Sequence, residues 1–312
     1  MPTARKLADA GLLVLVNALW AAQYAAYKTA GSALGPVTVN AWVFLLATLV
    51  LLPFLILERR RSTRARRPAW SRQNAVGFVM VGVLGLIPAS ALLAWGTTMS
   101  TASNAALIFL TVPIITALLA YPILGERMTG LRWASLVLSL AGVLMLSEID
   151  WRHLELVRAD VLLGNLLVLA ACAGSAFYNV CSKELLRRFT PLEVLVYSYL
   201  LALMVSVPFL IWMEPFSFEL IRTYSAGTWL SLAVLSVFCW GLAMVLWFFL
   251  LRRLDVSQAS VSVYLLPFFG VLISALTLRE ALTVRMVAGG AITLLGTVLV
   301  TTFDRGRKAP GA

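Results

Sequence analysis

Charge is scarce in this 312-residue chain. Charged side chains make up 12% of it and hydrophobic ones 61%, whereas an ordinary soluble domain is about 25% charged, so a soluble globular fold is excluded. Alternation of apolar and polar residues over segments of about 10, the mark of a membrane β-barrel, is also missing. Histidine is almost absent. His153 stands alone in a polar stretch with Asp150, Arg152 and Glu155, and it reads as a solvated loop residue rather than a proton relay. Cys172, Cys181 and Cys239 fall in apolar stretches without CxxC spacing; they read as small buried hydrophobes, with no metal and no cofactor expected. No Asp or Glu lies near the centre of a long apolar run. A proton-coupled exporter of organic cations uses such a carboxylate, because burial raises its pKa and lets proton and substrate compete for it. That mechanism is disfavoured here.

What the chain has in abundance is apolar runs of about 20 residues, the length at which a helix crosses a hydrocarbon core of about 30 Å. Ten spans are expected, at 9–29, 36–57, 75–98, 101–123, 130–148, 160–182, 191–213, 227–250, 257–277 and 284–303. The apolar run after Arg5 and Lys6 has the outline of a signal peptide, but it continues past Ala22 and forms the first span, so cleavage is not expected. With the N-terminus cytoplasmic, one side holds Arg5, Lys6, the arginines of 58–74, Arg127, Arg132, Lys183, Arg187, Arg188, Arg252, Arg253 and the basic residues of the tail. The other side holds only Lys28, Arg152, Arg158, Arg222, Arg279 and Arg285. This asymmetry places both termini inside. The loop 58–74, ERRRSTRARRPAWSRQN, reads as a topology determinant held loosely against anionic lipid, and the net charge of +11 implies no nucleic-acid partner.

The chain repeats itself. At an offset of 154, Ser103 falls on Ser257, Ala105 on Ala259, Pro113 on Pro267, Glu126 on Glu280, Thr129 on Thr283 and Gly142 on Gly296. Upstream, Tyr24 falls on Tyr178, Lys28 on Lys183, Pro36 on Pro191 and Pro53 on Pro208 at 154 or 155. Residues 1–148 and 160–303 are thus two five-helix units, followed by a cytoplasmic tail, 304–312. An odd number of spans per unit forces opposite orientations. The expected fold is an all-α integral membrane protein of ten transmembrane helices in two inverted-topology repeats, the geometry of secondary transporters that work by alternating access.

The segments PIITALLAYPILGERMT, with Pro113 and Glu126, and LAGVLML, with Gly142, resemble the ten-span drug/metabolite transporter superfamily, specifically its EamA-like exporters. The second copy, with Pro267 in YLLPFFGVLISALTLREALT and Gly296 in LLGTVLV, carries the same pattern. The resemblance covers about residues 10–303. It implies export from a bacterial cell across the inner membrane, with amino acids, other metabolites or drugs as cargo and nucleotide sugars or sugar phosphates in related branches. The chain departs from the pattern in one place: where such exporters often have an arginine early in the second span, it reads VNAWVFLLA.

Polar residues inside a membrane mark the path, because in lipid each needs a partner or a wet cavity. Asn17, Trp20, Tyr24 and Tyr27/Lys28 fall on one face of the first span. Tyr178, with Asn179 and Ser175, answers them in the second unit, and Ser260 and Tyr264 lead to Pro267. Convergence of these faces forms an aromatic lining with a few amides and hydroxyls, suited to small, partly apolar solutes; helix packing and interfacial belts are the alternative use of the same rings. Lys28 and Lys183 lie at opposite mouths, where each either holds a substrate carboxylate or phosphate or snorkels to headgroups. Glu126 and Glu280 sit at span ends as coupling candidates or as partners of neighbouring arginines or backbone. Pro88, Pro113 and Pro267 are candidate hinges. Small residues at Ser135, Ser139 and Gly142, repeated as Gly289, Thr293 and Gly296, allow close helix contact, including a homodimer contact.

The leading expectation is a secondary transporter that exports small metabolites, amino acids first. An exchanger of anionic sugar phosphates or nucleotide sugars needs cations converging on the cavity, and a multidrug or organic-cation exporter needs the missing core carboxylate. An integral-membrane enzyme needs a catalytic cluster, and none is legible. A membrane scaffold needs no continuous polar path.

Overall fold

A computed structural model describes residues 2–61, 71–100, 102–146, 159–214, 218–278 and 283–304. Among these no strand occurs, and the chain is a bundle of helices. α1 is Pro2–Gly31, α2 Pro36–Arg61, α3 spans 72–98, α4 spans 102–124, α5 is Gly130–Leu146, α6 Ala159–Leu185, α7 Pro191–Met213, α8 Ala226–Leu251, α9 spans 256–278 and α10 is Val284–Phe303. Eight of the described helices are long and apolar enough to cross a membrane, while Gly130–Met145 and Val256–Gly270 are apolar but shorter. All ten stand where a span is expected.

Local sequence sets the helix ends. α2 and α7 begin at repeat-related prolines, Pro36 and Pro191, which fit the first turn because its N–H groups have no helical partner. Thr190 and Glu193 close a reciprocal capping box on α7. Gly125, at φ 71°, ends α4 in the left-handed conformation that glycine adopts without steric cost.

Residues separated by the repeat offset meet one another. Ser139 on α5 and Thr293 on α10 exchange hydroxyl-to-carbonyl bonds at 3.4 Å in both directions. Tyr264 on α9 donates to the Leu110 carbonyl in α4 at 2.9 Å. A residue touching its own repeat equivalent must lie beside the symmetry axis, so the pseudo-two-fold runs through these two contacts. α5 packs antiparallel on α10 and α2 on α7, while α1 lies on α8 as α6 lies on α3.

Glycines permit these approaches. A Cβ on Gly142 would sit 2.5 Å from Thr293 Oγ1, and one on Gly296 2.2 Å from Ser139 Oγ and 2.9 Å from the Ser135 carbonyl. The small residues of α5 and α10 therefore face each other within one chain. Gly296→Ala is expected to destabilise the protein by about 1–3 kcal/mol through overpacking. Its thermal midpoint in detergent should fall, while Gly130→Ala, where an added Cβ meets nothing within 4 Å, should leave the midpoint almost unchanged.

Both repeats interrupt their third helix at the same place. α3 turns π-helical at Met80–Leu86 and again at Pro88–Leu92, and α8 does so at Val234–Ala243; the two runs begin 154 residues apart. A π turn offsets the backbone ladder and frees carbonyls. The third helices use this differently. In α8 the freed carbonyls serve the site described next, whereas in α3 the turns lie against α6 backbone: a Cβ on Gly85 would be 2.9 Å from Tyr178 Cα, and one on Gly174 2.9 Å from the Ala89 nitrogen and 3.0 Å from Pro88 Cβ.

Candidate functional site

The polar and aromatic groups near the axis come from both repeats. On α1, Asn17 is fully buried and its amide donates to the Leu13 carbonyl at 2.8 Å and to Ser262 Oγ at 3.0 Å. One turn on, Trp20 donates from Nε1 to the Cys239 carbonyl at 3.1 Å, and its ring lies 5.2 Å from that of Trp247. Two turns further, the Tyr27 hydroxyl accepts from Trp240 Nε1 at 3.1 Å. Of the face expected from Asn17, Trp20, Tyr24 and Tyr27/Lys28, the described members Asn17, Trp20 and Tyr27 all turn toward α8 and α9. The side chains of Tyr24 and Lys28 lie outside the described set.

α8 supplies the other wall. Trp240 sits in the π-helical stretch, its carbonyl accepting from the Tyr199 hydroxyl of α7 at 2.7 Å, and its ring lies edge-on to Phe44 of α2 at 5.2 Å. Trp247, two turns along, donates to Asn179 Oδ1 at 2.8 Å, and Asn179 in turn donates to the Ser175 carbonyl at 2.8 Å. Phe44 stacks on Tyr199 at 5.4 Å. The result is an aromatic wall of two ring groups carried on α8, Trp20 with Trp247 and Phe44 with Tyr199 and Trp240, with Asn179 of α6 bonded to it; each ring pair adds about 0.5–1.5 kcal/mol beyond its buried area. Trp20, Tyr27, Asn179 and Trp240 keep partial exposure and are its accessible members.

Other expected lining residues are placed deeper. Tyr178, Ser260 and Tyr264 are 4%, 2% and 1% exposed, so in this conformation they are packed rather than lining an open surface. Ser260 turns back on the Ser257 carbonyl at 3.0 Å. Among the described residues, Asn17 Oδ1 and the Tyr178 hydroxyl are buried polar atoms without a partner. Pro113 lies in the first turn of the Val112–Leu124 helix after the break at Leu110 and Thr111. Pro267 follows the short 3-10 segment Val261–Tyr264. Both prolines therefore flank the Tyr264 to Leu110 contact on the axis, and Pro88 opens the second π turn of α3.

At the end of the bundle that carries both termini, Glu126 faces the start of α9. One carboxylate oxygen accepts from Val256 N at 2.8 Å; the other accepts from Ser257 N at 2.9 Å and Ser257 Oγ at 2.7 Å. An anion on first-turn helix N–H groups, which have no partner within the helix, is favoured by both hydrogen bonding and the helix dipole. The partner of Glu126 is therefore backbone across the repeat interface rather than a neighbouring arginine. Lys183 is equally committed, its ammonium donating to the carbonyls of Leu251 and Leu254 at the end of α8. Glu280 and His153 lie outside the described residues, and among the described residues no cluster of potential metal ligands occurs.

Sequence reasoning missed Glu214, which closes the opposite end of the bundle in the same manner. Its carboxylate accepts from Val37 N at 2.9 Å, Thr38 N at 2.8 Å and Thr38 Oγ1 at 2.6 Å. It fits because Gly35 has no side chain, an added Cβ there falling 2.3 Å from the Glu214 carboxyl carbon. The signal was the Gly35-Pro36 start of α2, whose free N–H groups call for an acceptor. Trp240 and Trp247 were also missed; their spacing of seven residues places them on one face, but α8 is apolar all round and its other faces are equally aromatic and aliphatic.

The comparisons with known proteins agree with this architecture. The model of the EamA-like transporter family matches residues 10–148 and 162–302. A protein of Streptantibioticus cattleyicolor named as a probable terminal-alkyne amino-acid exporter is 27% identical over 231 residues, 74% of each chain. An uncharacterised transporter of Archaeoglobus fulgidus is 24% identical over 93% of this chain and 97% of its own. An S-adenosylmethionine uptake transporter of Rickettsia prowazekii is 27% identical over 64% of each chain. A protein crystal structure superposes with a TM-score of 0.76 at 20% identity, covering 97% of this chain and 99% of that one, a likeness of fold.

Proposed function

Since this chain belongs to the EamA-like transporter family, we propose that it carries small metabolites, amino acids first among them, across a bacterial inner membrane by alternating access between its inverted repeats. The observation that carries the reading is the pair of contacts on the pseudo-two-fold, Tyr264 to Leu110 and Ser139 to Thr293, beside an aromatic cluster built from both repeats. Transporters of this geometry hold cargo near the midplane, where the repeats rock about it. Trp20, Tyr27, Asn179 and Trp240 offer that cargo ring faces and one amide, a surface for a solute with an apolar portion. The basic residues gathered at the termini-bearing end support a cytoplasmic location for both termini.

Amino-acid cargo is favoured over sugar phosphates because a phosphate site needs convergent cations, and Lys183 is already committed to two backbone carbonyls. Counterflow tests this directly. Proteoliposomes preloaded with zwitterionic amino acids are expected to take up labelled amino acid by exchange, at a rate indifferent to a pH gradient. Exchange of sugar phosphates or organic cations with no exchange of zwitterions would overturn the cargo assignment.

A further inference from the structure

A second set of buried polar side chains lies at the termini-bearing end, away from the aromatic cluster. Arg132, in the first turn of α5, has a side chain only 1% exposed. Its Nε donates to Asp304 at 2.7 Å, one terminal nitrogen donates to Ser257 Oγ at 2.9 Å, and the other donates to the Asp255 carboxylate. Thr129 Oγ1 donates to the remaining oxygen of Asp304 at 3.0 Å. Lys6 Nζ donates to the carbonyls of Thr302 and Asp304 at 2.8 and 3.2 Å, and Asp9 pairs with Arg253 at 3.4 Å. These bonds run from the first repeat to the second or to Asp304, the residue that follows α10. With Glu126 on the amides of Val256 and Ser257, they grip the turn between α8 and α9 from three sides.

A buried guanidinium is expensive to desolvate and is stable only when its donors are all met. Such a group favours two alternatives, a fully made network or a separated and rehydrated one. Alternating access requires contacts that join the repeats at one end to break when that end opens. In sequence the two repeats keep the Asp304 position, which falls on Asp150, but differ at the arginine and at Asp255. The offset of 154 puts Arg132 on Met286 and Asp255 on Thr101. Arg285, one residue short of the related position, is exposed and donates to the Met145 carbonyl at 2.9 Å.

We propose that Arg132 is the bolt of a gate at the termini-bearing end, and that methionine in place of arginine at the repeat-related position, Met286, biases the protein to rest with the Arg132 end shut. The proposal builds on the alternating-access reading. Arg132→Met gives this position the residue its counterpart already has, and so removes the bias toward closure.

Hydrogen–deuterium exchange of the full chain in lipid nanodiscs, with no substrate present, tests the gate. Peptides covering 252–258 contain the two amides held by Glu126. They are expected to exchange at least about tenfold faster in Arg132→Met, since breaking a buried pair is strongly destabilising locally. Peptides within α2 and α7 should keep their wild-type rates. Asp255→Asn is the milder second variant, its partner side being 39% exposed, and it should accelerate exchange in the same peptides by a smaller factor. Wild-type exchange at 252–258 in every variant that folds, or an equal acceleration throughout α2 and α7, would overturn the gate. Because this readout needs no substrate, a failed counterflow experiment bears on the transport reading and leaves the gate to be judged on exchange alone.

Discussion

Trp240→Ala is expected to reduce metabolite exchange by at least about tenfold, the largest effect of any single change in the aromatic cluster. The indole makes several contacts at once: it donates to the Tyr27 hydroxyl, lies against Phe44 and Tyr199, and keeps part of its surface exposed. Removing a large aromatic side chain from a packed site costs about 3–5 kcal/mol, so the thermal midpoint will fall as well. Trp240→Phe separates the two effects. It keeps most of the ring area and loses only the bond to Tyr27, a net loss of about 0.5–1.5 kcal/mol. The phenylalanine variant should fold with nearly wild-type stability, and its exchange should lie between wild type and alanine. Full exchange by both variants would remove Trp240 from the path.

Glu126→Ala is expected to have the second large effect, acting on stability first. It strips an acceptor from two helix amides and a hydroxyl; hydrogen bonds to a charged group contribute about 1.5–3 kcal/mol each, and the donors left buried add their own penalty. The midpoint in detergent should drop sharply. Glu126→Gln keeps an acceptor oxygen of similar reach and no charge, so it should recover much of the stability and exchange at an unaltered pH dependence. A proton carrier at this position would behave otherwise: glutamine, which cannot titrate, would be as damaging to pH-driven transport as alanine, even in a protein that folds normally.

The pair Glu126 and Ser257 also shows how much of the molecule could be read beforehand. The offset that aligns Ser103 with Ser257 and Glu126 with Glu280 gave the duplication, and the small residues of α5 and α10 gave the expectation of close helix contact. That these two helices pack on each other, Ser139 against Thr293, was not legible, because the repeat does not say which helices the axis passes between. The face of α1 was legible because Asn17, Trp20 and Tyr27 stand out from an aliphatic helix at helical spacing. The π turns were not legible. They come from how α3 fits against α6 and how Trp20 and Tyr199 engage α8 carbonyls, tertiary contacts that leave no periodicity in the chain. The position of Lys183 at the inner end of α6 was legible from its span, while its partners, the Leu251 and Leu254 carbonyls at the end of α8, were not, because they depend on how another helix packs. The expected count of ten spans corresponds to eight long apolar helices and two shorter ones, because the described part of α5 stops at Leu146 and α9 is broken near Tyr264 and Pro267.

Access to one residue from two sides tests alternating access most directly. Ser175, one turn before Asn179 on α6, is partly exposed and accepts cysteine with little change in volume. Ser175→Cys is made in a background where Cys172, Cys181 and Cys239 are serine, and a membrane-impermeant thiol reagent is applied to either face of oriented proteoliposomes. The predicted result is labelling from both faces, slowed by transported amino acid, with exchange lost in proportion to labelling. Labelling from one face alone under every gradient, or from neither, would contradict alternating access between the repeats.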